Sequence, residues 1–84
     1  MRRQRTITIA GREVSPEEAL RFEVVRSVLM GTMTIIQGAN KLHIGIFELS
    51  RLVNGARAAV IKALGEDALV QARQESQLAA KAAS

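Results

Sequence analysis

The chain has no cysteine, tryptophan or tyrosine, and in 84 residues only one proline, one histidine and two phenylalanines. Without cysteine there are no disulfides and no thiolate metal sites, and a single histidine leaves no donor set for a metal centre. With Phe22 and Phe47 as the only aromatics, single-stranded nucleic-acid binding by base stacking is disfavoured. The longest uncharged stretch, residues 27–40, is too short to span a bilayer and reads as buried core, so no membrane partner is expected. The start, MRRQRTITIAGREV, is basic but has no long apolar run behind it. No signal peptide is expected, and a cytoplasmic location is.

Catalytic signatures are also missing. Gly31, Gly38, Gly45 and Gly55 are scattered, without the order of a phosphate-binding loop. Glu17, Glu18 and Glu23 lie on or near one helix start, and Glu66 and Asp67 on another. Capping and solvation explain these acids better than paired-carboxylate chemistry. His43, beside a turn, reads as structural. The expectation is a non-enzyme with no cofactor and no metal.

What is present suits one small soluble domain. A chain of 84 residues supports a single but marginal core, which makes a homodimer a natural source of further burial. The formal net charge of +4 favours contact with polyanions.

Residues 1–14 differ from the rest. Arg2, Arg3 and Arg5 form a basic head, and Ile7 and Ile9 then alternate with Thr6 and Thr8, the period of a short β-strand. Ala10-Gly11 can turn the chain, with Arg12 to Val14 returning as a second strand or leading into a helix. Ser15-Pro16-Glu17-Glu18 is a helix start: an N-cap serine, a proline in the first turn, and acids at the positive helix end. The helix should run to about Met30 with Leu20, Val24, Val25, Val28 and Leu29 on one face. Glu17 and Arg21 can pair one turn apart, and Gly31 ends the helix.

The segment from Thr34 to Asn54, TIIQGANKLHIGIFELSRLVN, reads as two short helices joined by a tight turn. Thr34 suits an N-cap, and the T-x-x-Q spacing to Gln37 suits a capping box. Ala39 supplies the small residue needed where the second helix crosses the first. Ile36, Leu42, Ile44, Leu49 and Leu52 fall where apolar groups would lock the pair. The turn runs through His43, Ile44 and Gly45. The second helix, roughly Ile46 to Val53, should stop at Asn54-Gly55. A further helix over 56–64 would turn Val60, Ile61 and Leu64 inward, and Gly65 would break it before a last helix with Ala68, Leu69 and Ala72. Residues 75–84, rich in alanine and glutamine, read as a frayed helix or disordered tail.

On Ala39, Leu42, Ile44, Leu49 and Leu52, the segment resembles the helix-turn-helix superfamily of bacterial and phage regulators and small transposase subunits. The likeness covers about a quarter of the chain and fits no single family closely. With the helices and strand read above, the expected fold is mainly α: a small bundle of four to five helices containing a helix-turn-helix in residues 15–74, preceded by a short N-terminal β-strand or hairpin. The resemblance implies a sequence-specific or general double-stranded DNA-binding protein that regulates transcription. Gly45, Ile46, Phe47, Ser50 and Arg51 would face the major groove, with Ser50 and Arg51 as the readers of conventional type. Thr34, Lys41 and Arg57 would contact phosphates at helix ends, and Arg2, Arg3 and Arg5 would form an arm along the backbone or minor groove. The alternative for the arm is a solvated terminus. The alternative for the whole is a small protein-interaction or oligomerisation module, an accessory subunit or inhibitor, that docks through Ile46 and Phe47.

Overall fold

The computed structural model describes residues 7–9 and 12–83, with side chains from Glu13 onward. The fold is mainly α: a short antiparallel hairpin, β1 (Ile7–Ile9) and β2 (Arg12–Val14), followed by four helices. These are α1 (Pro16–Leu29), α2 (Ile35–Leu42), α3 (Ile46–Leu64) and α4 (Glu66–Ala83). The hairpin register pairs Ile7 with Val14 and Ile9 with Arg12, and β1 lies against α1. That contact supplies the support an isolated two-stranded ribbon lacks.

Local chemistry sets the helix boundaries. Ser15 Oγ accepts from the Glu18 amide at 3.2 Å, Pro16 occupies the first turn, and Glu17 and Glu18 face the positive end of α1. The helix closes as a Schellman motif: Thr32 N–H donates to Ser27 O at 2.9 Å and Gly31 N–H to Val28 O at 3.1 Å. Gly31 takes the left-handed conformation (φ 78°) that this closure needs. The ion pair on α1 joins Arg26 to Glu23, 3.7 Å apart. The expected Glu17–Arg21 pair does not form.

Packing centres on Leu49 and Val24, both fully buried, with Leu29, Ala39, Val53 and Leu69 around them. Helices α1, α2 and α3 all contribute to this core, and α4 adds Leu69. Gly38 lies at the tightest point. A Cβ built on it would stand 2.8 Å from both Leu49 Cδ2 and Val24 Cγ1. The close crossing of α2 therefore needs Gly38 as well as Ala39.

Four expectations need correction. Helix α3 does not stop at Asn54-Gly55 but continues for 19 residues to Leu64, merging two expected helices into one. Helical hydrogen bonding on both sides, with Val53, Ala56 and Val60 all on the core side, outweighs the cost of one interior glycine. Ile36 does not lock α2 to α3, because it is 57% exposed, and Ile35 packs against the core instead. Leu52 is also exposed. Leu64 points outward at 71% exposure, because the turn at Gly65 (φ 90°) carries the chain away before it can be covered. Helix α4 runs to Ala83, and Gln77 Nε2 donates to Met30 O at 3.4 Å. That bond ties α4 to the α1–α2 turn.

Candidate nucleic-acid interface

Helices α2 and α3 are joined by three residues, His43, Ile44 and Gly45. At the start of α2, Thr34 Oγ1 accepts from the Gln37 amide at 3.1 Å, and the Thr34 amide donates to Gln37 Oε1 at 3.0 Å. This reciprocal capping box leaves the Thr34 hydroxyl proton available to an acceptor at the exposed helix end. At the other end, His43 stands where glycine is commonest, with φ 55° and ψ 44°. Ile44 N–H donates to Ala39 O at 3.1 Å and His43 N–H to Asn40 O at 3.3 Å. Ile44 then packs against the core, which fixes the direction in which α3 leaves the turn.

Gly45 is the N-cap of α3 and offers no side-chain acceptor, so the first amides of α3 receive no such cap. A helix start of this kind carries partial positive charge. Helical geometry then sorts the outward residues. With Leu49 and Val53 buried, Phe47 and Arg51 fall on the opposite side of α3, and both are exposed. Lys62 lies eleven residues past Arg51, which on an unbroken α-helix is a rotation of only about 20° and a rise of about 16 Å. Phe47, Arg51, Ala58 and Lys62 therefore share one solvent-facing stripe, and all four are exposed.

Not every expected site residue joins that stripe. Ser50 is partly buried, at the edge of the buried face beside Leu49 and not at the centre of the outward stripe. Arg57 is exposed but mid-helix, not at a helix end, and it is turned about 120° from Arg51. Lys41 is exposed in the last turn of α2, beside a shallow depression it shares with Glu17, Arg21 and His43. Ile46 is half-exposed, and among the described residues Phe47 is the most exposed large apolar one, at 88%. Arg2, Arg3 and Arg5 lie outside the described residues. The helix-end signature at Asn54-Gly55 hides Lys62 from this stripe, because it divides the helix that carries it. The core-side spacing Leu49–Val53–Ala56–Val60, which runs through Gly55 without interruption, was the available signal.

Charge is segregated along the fold. Between residues 35 and 65, Lys41, Arg51, Arg57 and Lys62 stand against Glu48 alone, four bases to one acid. In α1, three acids outnumber two bases, and the same holds in α4. The positive excess of the helices thus sits on the α2–α3 pair. Among the described residues there is no cluster of metal-binding side chains, and no helix is long and apolar enough to cross a membrane. No protein-family model, curated protein or solved structure matches the chain.

Proposed function

We propose that this chain binds double-stranded DNA through the outer face of α3, as a module that regulates transcription, and that its role is binding and not catalysis. The observation that carries this reading is the Arg51–Lys62 stripe on the helix pair that holds the positive excess. Two cations about 16 Å apart on one face suit successive contacts to a phosphate backbone. Arg51 is placed to reach a phosphate or a base edge, Thr34 and Lys41 are phosphate contacts from α2, and Arg57 and Ser50 take flanking positions.

Titrating a labelled duplex at several salt concentrations tests the proposal. Affinity should fall steeply as salt rises, and Arg51→Ala and Lys62→Ala should each lower the slope of log affinity against log salt by about 1. Absence of duplex binding at low ionic strength would end this reading.

The exposure of Phe47 favours a second reading, in which the same face docks on protein, since an apolar ring of this exposure gains little from a base edge. Phe47→Lys separates the two. DNA affinity should hold or rise under the first reading. Under the second, DNA affinity is negligible throughout and binding to the protein partner is lost.

A further inference from the structure

The face formed by α1 and the middle of α3 carries a groove of about 240 Å³ whose floor is apolar: Phe22, Val25, Leu29, Ala56 and Val60 line it. Phe22 stands at its rim, 50% exposed. Along the same side of α1, Glu18, Phe22 and Arg26 follow one another at four-residue intervals and form a single exposed ridge. The apolar ring thus has an acid one turn before it and a base one turn after it, each about 6 Å away along the axis.

We infer that a second copy of this chain covers this face, with the two α1 helices packed antiparallel across a two-fold axis at Phe22. Two observations select that occupant. The first is charge. A two-fold axis at Phe22 brings Glu18 of each copy against Arg26 of the other, so the ridge complements itself, as an isologous interface requires. Arg26 is held at home only by an exposed pair with Glu23 at 3.7 Å, which is too weak to keep it from a new partner. The second is area. The chain exposes 6822 Å² at a mass of 9.1 kDa, whereas a compact monomer of that mass exposes about 4,900 Å². The projecting end of α4 accounts for part of the difference. Before that share is taken out, the difference is a little over twice the roughly 800 Å² that each partner contributes to a stable interface. Each Phe22 ring would seat in the other copy's groove, between Val25 and Val60.

This inference concerns a face other than the Arg51–Lys62 stripe, and its readout is oligomeric state, so it stands or falls separately from DNA binding. Sedimentation equilibrium of the full chain should show a dimer. Phe22→Lys should raise the dimer dissociation constant about thirty-fold or more, with circular dichroism unchanged. Glu18→Arg should also weaken the dimer by setting arginine against arginine. Adding Arg26→Glu to the same chain should restore it, since the exchanged charges again face each other. Restoration holds even if the Phe22 variant fails to fold. A monomeric wild-type chain at millimolar concentration overturns the inference, as does a dimer untouched by Phe22→Lys or a double exchange that stays dissociated.

Discussion

At the scale of single residues, two positions in the α2–α3 pair have opposite requirements for glycine. Gly38 is helical, and its lack of a side chain is what lets Leu49 and Val24 meet over it. In Gly38→Ala the better helix propensity is worth about 1 kcal/mol. The overpacking costs about 1–3 kcal/mol, and contacts of 2.8 Å to two core methyls place it at the upper end. A net loss of about 1–2 kcal/mol in urea unfolding is the expected outcome. His43 is the reverse case, a side chain in left-handed backbone. His43→Gly should relieve strain and stabilise the chain by about 0.5–1 kcal/mol in the same measurement. Thr34→Ala should cost about 1 kcal/mol through the lost cap. The capping box was legible in the sequence because it is a local pattern of two residues three apart. Gly38 was not, because what it touches comes from α1 and α3, and no local pattern announces that meeting.

At the scale of elements, the main departure from the sequence reading is the length of α3. Asn54-Gly55 carries the local signature of a helix end, and the start of α1 at Ser15-Pro16 shows how dependable such signatures are when nothing opposes them. At Gly55 something does: the residues on either side have apolar partners in the core, and stopping the helix would forfeit that burial. A Cβ at Gly55 would meet nothing within 4 Å. Gly55→Ala should therefore stabilise the chain by about 0.5–1 kcal/mol. A destabilisation would show instead that Gly55 needs left-handed backbone and that α3 is two helices. The legible and hidden parts of the candidate site divide at the same point in α3. Arg51 sits close to the turn, where helical phase can be counted from Leu49. Lys62 and Arg57 take a definite face only on a helix that runs through Gly55, whereas the local signature at Asn54-Gly55 puts Arg57 at the start of another helix.

At the scale of the whole molecule, the chain is elongated, 47 × 29 × 29 Å, with a Cα radius of gyration of 14.1 Å against about 12 Å for a compact chain of this length. The sequence shows why: the apolar residues of α4 thin out after Leu69, so its far end has little to pack with. Ending the chain after Gln77 keeps Leu69 and the bond to Met30. It should change the unfolding free energy by less than about 0.5 kcal/mol. Truncation before Leu69 opens the core and should unfold a large fraction of the chains, as read by thermal circular dichroism.

The unbroken run of α3 has one more consequence. Its outer stripe begins at Phe47, and its core side supplies Ala56 and Val60 to the groove, so both surfaces belong to one rod about 28 Å long. With no joint between them, two copies joined across that groove would hold their outer stripes at a set separation and a set mutual angle. Such a pair would act as a calliper. On the proposed DNA-binding reading it would grip two half-sites together only at the spacing its jaws allow, and moving those half-sites apart by half a helical turn should reduce it to one-handed binding.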